Sequence, residues 1–95
     1  TIRATHPDTT FVLVASMEGN ADWVHATPEF YAQYRDILAT ITGPEIVLAD
    51  VTSVWQGLMR HKRFVDLSGN GVNHPNDFTH RVYAQVVLAL FGPGK

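Results

Sequence analysis

Residues 11–15, Phe11-Val12-Leu13-Val14-Ala15, are the stretch that decides the fold. The run is continuous, apolar and rich in β-branched residues, and the turn-forming residues 7–10 precede it. Such a run is typical of a strand in a parallel sheet that is covered on both faces. We therefore predict a buried parallel strand at this position.

A second strand and an intervening helix follow from the same kind of pattern. Residues 46–49 repeat the apolar design of the first run. Between the two runs, residues 27–29 supply a cap, a proline at the first helical position and an early acid, which predicts a helix over residues 28–42. Its apolar side chains share one face, namely Phe30, Tyr34, Ile37, Leu38 and Ile41. Strand, helix and strand form a βαβ unit, so function is expected in the loops at the carboxyl ends of its strands, residues 16–27 and from 50 onward.

The rest of the chain is predicted to be mostly helical. A short helix is expected over about residues 52–61, a strand-like segment over 64–67, and a final helix over about 77–91 that residues 92–94 stop. The inward side chains of the short helix are predicted to be Val54, Trp55, Leu58 and Met59. Residues 1–6 resemble the last turn of a preceding helix.

Two strands buried on both faces leave unpaired backbone groups at their outer edges. We therefore expect residues 1–95 to be a single unit of an α/β fold with parallel strands, incomplete without upstream strands. The missing strands would come from further sequence, another chain or self-association. The alternative to an enzyme is a non-catalytic α/β domain that associates through an exposed strand edge.

The composition excludes several classes of function. Apolar residues make up 45% of the 95 residues and charged residues 17%, which is an ordinary globular balance. The net charge of −2 gives no reason to expect nucleic acid, and we interpret the basic residues 60–63 as a solvated helix end that favours the helix dipole. There is no cysteine, no apolar run long enough for a membrane span, and no ligand spacing that predicts a metal or cofactor.

Residues 67–77, Leu67-Ser68-Gly69-Asn70-Gly71-Val72-Asn73-His74-Pro75-Asn76-Asp77, place a histidine in a loop directly before a helix. His74-Pro75-Asn76-Asp77, followed by residues 80–84, resembles the last conserved block of the SGNH, or GDSL-type, hydrolases. That family comprises esterases, lipases and carbohydrate deacetylases on a flavodoxin-like three-layer α/β/α fold. The order of elements agrees with the family's C-terminal half over nearly all of the chain, although the strands are generic to doubly wound proteins.

The resemblance implies that His74 is the general base of a serine ester hydrolase. Histidine suits this role because an imidazole accepts and donates protons near neutral pH. The nucleophile would come from upstream sequence, the substrate would be a small ester or acetylated carbohydrate, and an extracytoplasmic location is slightly favoured. The alternative is that His74 caps or packs the final helix.

The sequence departs from the family pattern at the triad acid. The aspartate expected three residues before the histidine is replaced by Gly71, with Asn70 beside it. Either a backbone carbonyl or an asparagine orients His74 in a dyad, or a carboxylate reaches it. The candidates for orientation or support are Asn70, Asn73, Asp66 and Asp77. Asp77 is more simply a first-turn helix acid, and Thr79 stands where the family often has glycine.

Three serines could act as an internal nucleophile: Ser16, Ser53 and Ser68. Ser16 is the one to weigh, because it follows the first strand at the edge where α/β sites form. The surrounding Ala-Ser-Met-Glu-Gly does not read as a tight nucleophile turn. In the same loop, a rim over the site is predicted for Asn20, Asp22, Trp23 and His25.

Overall fold

The computed structural model describes residues 1–92, and within them the chain forms two parallel strands, four α-helices and one short 3₁₀ turn. The prediction of an α/β chain with parallel strands is confirmed. In chain order the elements are α1 (Ile2–Thr5), β1 (Phe11–Ala15), α2 (Pro28–Thr40), β2 (Ile46–Asp50), α3 (Val51–Leu58), the 3₁₀ turn (Phe64–Asp66) and α4 (Asp77–Ala89).

The two strands pair in parallel, in a register that runs from Phe11 opposite Ile46 to Ala15 opposite Asp50. Because α2 connects them, the predicted βαβ unit is present. Pro28 occupies the first turn of α2 as expected, although the Thr27 side chain makes no capping hydrogen bond. The carboxyl ends of both strands lie side by side, so the loop after β1 and the start of α3 share one edge of the sheet.

The prediction that the two strands are covered on both faces is wrong for residues 1–92. Ala15 and Ala49 are buried, but Val14 is 45% exposed and the other β1 side chains are only half-buried. Helix α2 has no buried residue, and Ile37 on its apolar face is 60% exposed. Two strands offer too narrow a surface to cover one full face of a 13-residue helix.

The buried apolar cluster contains no residue of α2, and most of its members belong to the C-terminal half of the chain. It consists of Met17, Trp55 and Leu67, with half-buried side chains around it: Leu58, Met59, Phe64 and Tyr83. The Trp55 and Phe64 rings meet edge to face, with centroids 5.4 Å apart. The inward prediction is confirmed for Trp55, whereas Val54 is 40% exposed because α3 buries the stripe of Val51, Thr52 and Trp55.

Several local predictions need correction. Helix α3 begins one residue early because Asp50 caps it, accepting a hydrogen bond from Ser53 N at 2.9 Å, and it ends at Leu58. The basic residues 60–63 are exposed and follow the helix end, as the interpretation of a solvated helix end expects, although none lies in the last turn of α3. Lys62 Nζ lies 5.4 Å from the centroid of the Phe78 ring.

The segment 64–67 is not strand-like. It forms the 3₁₀ turn because an Asp66 carboxylate oxygen accepts a hydrogen bond from Arg63 N at 2.9 Å.

Helices α2 and α4 end slightly before the predicted residues, and Pro93 and Gly94 of the predicted stop lie outside the described residues. No helix within residues 1–92 is long and apolar enough to cross a lipid bilayer.

Candidate active site around His74

Residues 67–76, called the His74 loop here, form a loop with a closed neck. Gly69 N donates to His74 O at 2.9 Å, and Asn76 N donates to Leu67 O at 3.1 Å. Gly69 is required at the neck, because a β-carbon there would lie 2.9 Å from Pro75 O. These hydrogen bonds therefore hold the two ends of the loop next to each other.

The base of the loop is anchored to α4. The Thr79 side chain is buried, and its Oγ1 donates to Leu67 O at 2.8 Å. Asn76 caps the helix by accepting from Thr79 N at 3.0 Å, and its Nδ2 donates to Asp66 O at 2.7 Å. Thr79 thus supplies a buried hydrogen bond that a glycine at this position would lack.

Asn70 organises the interior of the loop. Its Oδ1 accepts hydrogen bonds from three backbone N–H groups, at 2.9 Å from Val72, 2.9 Å from Asn73 and 3.1 Å from His74. These three donors fix the orientation of the amide. The Nδ2 group consequently faces Asn73 Oδ1 at 3.0 Å and His74 Nδ1 at 2.9 Å.

The His74 side chain is exposed, and two asparagines contact its Nδ1. Asn73 Oδ1 lies 2.6 Å from Nδ1 and can only accept a hydrogen bond, whereas Asn70 Nδ2 can only donate one. With the proton on Nε2 the ring accepts from Asn70, and with the proton on Nδ1 it donates to Asn73, which is the shorter of the two contacts. Within residues 1–92 nothing hydrogen-bonds to Nε2, so in the Nδ1-protonated tautomer Nε2 presents its lone pair to the outside.

The two candidate carboxylates do not reach the ring. Asp66 is engaged by Arg63, whose backbone N–H lowers the pKa of this carboxyl below its ordinary value of 3.8, with the guanidinium adding to the effect. Asp77 lies in the first turn of α4. Of the alternatives that the sequence leaves open, the structure places asparagines, and no carboxylate of residues 1–92, at hydrogen-bond distance from the imidazole.

The three serines have different surroundings. Ser53 Oγ contacts Asp50 Oδ2 and Arg35, and Ser68 Oγ donates to His74 O and accepts from Gly71 N. Ser16 is exposed at the end of β1, and within the described residues its hydroxyl has no hydrogen-bond partner. None of the three hydroxyls is within hydrogen-bond distance of the His74 ring.

Asn20 fastens the loop after β1 to the His74 loop. Its backbone N donates to Val72 O at 2.7 Å and its Nδ2 donates to Gly71 O at 2.9 Å. Gly71 has φ +72°, the left-handed conformation that glycine adopts without cost. The sequence predicts Asn20 at a rim but not this fastening. The local signal is the turn in which Asn20 Oδ1 accepts from Asp22 N at 3.0 Å.

Tyr83 of α4 is hydrogen-bonded to the loop after β1. Its hydroxyl accepts a hydrogen bond from Met17 N at 2.7 Å. Burial raises the pKa of the Tyr83 phenol above its ordinary value of 10.0, and the Met17 N–H partly opposes this shift. Of the other predicted rim residues, Trp23 and His25 meet edge to face with ring centroids 5.3 Å apart, and Asp22 is exposed.

Within residues 1–92 no three histidine or carboxylate side chains come together as a group that could hold a metal ion. Compared with known proteins, the chain matches no family model, no curated sequence and no solved structure.

Proposed function

We propose that this chain supplies the catalytic histidine of a serine ester hydrolase of the SGNH, or GDSL, type, as part of a three-layer α/β/α fold. One observation carries the proposal. Nδ1 of the exposed His74 ring lies at hydrogen-bond distance from two asparagine side chains, Nε2 has no partner within residues 1–92, and Asn20 fastens the loop to the residues that follow β1. The carboxyl edge of a parallel sheet is where α/β enzymes place their sites.

In the proposed reaction, Nε2 removes the proton of a serine hydroxyl supplied by sequence outside residues 1–95. The serine oxygen attacks the ester carbonyl and forms a tetrahedral oxyanion. The imidazolium then returns the proton to the departing alcohol as the C–O bond breaks, leaving an acyl-serine. Water repeats the sequence and releases the acid.

The asparagines take the place of a triad acid in this proposal. In the tautomer that acts as the base, Nδ1–H donates to Asn73 Oδ1, which lies 2.6 Å away, and the lone pair of Nε2 is exposed. An amide oxygen carries no net charge, so it stabilises the imidazolium less than a carboxylate does. We therefore expect a working dyad that is slower than a complete triad.

The test uses a polypeptide that joins this chain to the upstream serine-bearing segment, with 4-nitrophenyl acetate as substrate. His74→Ala is expected to lower kcat by about 10²–10⁴-fold, the usual range for loss of a general acid–base. His80→Ala, an exposed histidine on α4, is the matched control and should leave kcat unchanged. A folded His74→Ala protein with full activity would rule out the assigned role.

Ser16 is retained as an internal nucleophile, because its hydroxyl is exposed and has no hydrogen-bond partner within residues 1–92. A serine-reactive fluorophosphonate applied to the 95-residue chain tests this. Labelling that disappears in Ser16→Ala and in His74→Ala, but persists in Ser53→Ala, would establish a self-contained dyad. An unlabelled wild-type chain would exclude it.

A non-catalytic role in association is the second candidate function. It is favoured by the outer edges of the two-stranded sheet, which pair with no further strand in residues 1–92 apart from the turn contact between Gly43 and Ile46, and by the exposed Val14 side chain. Size-exclusion chromatography with light scattering should then give a stable oligomer of the chain. A monomer at micromolar concentration would contradict association with itself.

A further inference from the structure

Asn70 and Gly71 form the only Asn-Gly pair of the chain, since the other asparagines precede alanine, histidine or aspartate. The pair lies inside the His74 loop, where Asn70 is exposed. Glycine has no β-carbon, so its backbone nitrogen can approach the side-chain carbonyl carbon of the residue before it. We propose that the folded loop promotes attack of Gly71 N on Asn70 Cγ and thereby converts Asn70 into aspartate or isoaspartate.

The proposed modification is a cyclisation followed by hydrolysis, and water is its only co-reactant. Hydroxide takes the proton of Gly71 N–H, and the nitrogen forms a bond to Asn70 Cγ, which moves the carbonyl electron pair onto Oδ1. The Cγ–Nδ2 bond then breaks, and Nδ2 takes up a proton from water and leaves as ammonia. Water attacks either carbonyl of the cyclic imide and opens the ring to aspartate or isoaspartate. The chain thus loses ammonia and gains water.

Three backbone N–H groups already surround Asn70 Oδ1, the oxygen on which negative charge develops. They belong to Val72, Asn73 and His74 and lie 2.9, 2.9 and 3.1 Å from it. Because these donors point at the oxygen before the reaction begins, they stabilise the charge without reorganisation, as the donors of an oxyanion hole do. In an unfolded chain, water would have to reorganise around the same oxygen.

The attacking and the leaving nitrogen also have partners in the loop. Gly71 N donates to Ser68 Oγ at 2.8 Å, which holds the N–H group of the nucleophile in one orientation. The leaving nitrogen, Asn70 Nδ2, lies 2.9 Å from His74 Nδ1. Once Cγ is tetrahedral, the Nδ2 lone pair is no longer delocalised, so an imidazolium can replace water as the source of its proton.

Asn73 provides a contrast inside the same loop. It is as exposed in class as Asn70, but its Oδ1 contacts the Asn70 side chain and the His74 ring. Within residues 1–92 no backbone N–H group donates to that oxygen. The residue after Asn73 is His74, whose β-carbon hinders the approach of the backbone nitrogen. We therefore expect modification at Asn70 and not at Asn73.

Conversion exchanges a neutral hydrogen-bond donor for a charged acceptor beside the imidazole. The aspartate product keeps Oδ1 for the three N–H groups, and its second oxygen takes the place of Nδ2, 2.9 Å from His74 Nδ1. A carboxylate that the sequence does not encode then faces the ring. The modification does not depend on the proposed hydrolysis, because it needs no residue outside the loop.

The test incubates the 95-residue chain at neutral pH and follows the tryptic peptide 64–81 by mass spectrometry, which detects the exchange of NH2 for OH. Fragmentation assigns the change to Asn70, Asn73 or Asn76. We expect conversion at Asn70 alone, about tenfold faster in the folded chain than in urea, which is the equivalent of one net hydrogen bond to the oxyanion. Equal or slower conversion in the folded chain, or conversion spread over the three asparagines, would overturn the inference.

Two glycine-to-alanine variants supply the matched comparison. Gly71→Ala places a methyl group beside the attacking nitrogen and should slow conversion severalfold, whereas Gly57→Ala in α3 should leave the rate unchanged. An unchanged rate in folded Gly71→Ala would also refute the proposed attack. The comparison of folded with urea-unfolded wild-type chain needs no substitution, so it decides the question even where Gly71→Ala does not fold.

Discussion

The His74 loop lies on buried side chains, whereas helix α2 buries none of its own. The loop exposes polar residues above Leu67 and Thr79, which are 0% and 1% exposed. Helix α2 has 13 residues and none of them is buried. The loop is thus held by contacts that residues 67–79, Asn20 and the core beneath them supply, whereas α2 keeps an apolar face open. Residues that carry the stability of this chain should therefore cluster under His74.

The largest expected effect is a core truncation at the loop base. Leu67→Ala should lower the free energy of unfolding by about 2–5 kcal/mol, because it opens a cavity in a fully buried site. Ile37→Ala on α2 should change it by less than about 0.5 kcal/mol, since Ile37 is 60% exposed. Urea denaturation followed by circular dichroism measures both. An equal loss in Ile37→Ala would mean that the α2 face is covered in solution and would break the comparison.

A smaller effect is expected from the amide inside the loop. Asn70→Ala removes the acceptor of three backbone N–H groups and should cost about 2 kcal/mol in local stability. Hydrogen exchange at Val72, Asn73 and His74 should accelerate accordingly. Asn70→Asp keeps the acceptor oxygen, so it should retain the slow exchange while placing a carboxylate oxygen at His74 Nδ1. Unchanged exchange in Asn70→Ala would show that the loop is ordered by other contacts.

Two glycine substitutions should have opposite signs. Gly71→Ala forces an L side chain into a left-handed conformation and should destabilise the chain by about 1 kcal/mol. Gly57→Ala should stabilise it by up to about 1 kcal/mol, because glycine is a poor residue inside α3. A β-carbon at either position meets no atom within 4 Å, so contact does not confuse the result. Thermal unfolding measures both, and a stabilising Gly71→Ala would refute the conformational explanation.

The smallest expected effect is a pH dependence at the loop base. The folded-state pKa of Asp66 is lowered, so its stabilisation is present above the unfolded value of 3.8 and is lost as the pH falls through the folded value. Asp66→Asn should therefore lower the melting temperature slightly at pH 7 and flatten its fall in acid. Parallel melting curves for both proteins from pH 7 to strong acid would contradict the assignment.

Local patterns predicted most of the elements, and a particular side-chain hydrogen bond explains one of the differences. The apolar runs at 11–15 and 46–49 and the Thr27-Pro28-Glu29 start are local signals, and β1, β2 and α2 appear where they indicate. The 64–67 segment is a 3₁₀ turn and not the predicted strand-like segment. The Asp66 carboxylate accepts a hydrogen bond from Arg63 N, and residue propensities do not reveal this contact.

The candidate site divides in the same way. The position of His74 and the proximity of Asn70 and Asn73 follow from their nearness in sequence. The bond from Asn20 to Gly71 O spans 51 residues, and the bond from Met17 N to Tyr83 spans 66. Periodicity carries no information about such pairs, because they depend on how the β1 exit and α4 pack against the loop.

The bond from Thr79 Oγ1 to Leu67 O joins the first turn of α4 to the start of the His74 loop. Asn76, at the end of the loop, also caps that helix. Hydrogen bonds therefore connect the start of α4 to both ends of the loop. Substitutions of the Val72 side chain, in the middle of the loop, can therefore change which molecules approach the imidazole. The hydrogen bonds at the two ends of the loop would keep His74 in its position.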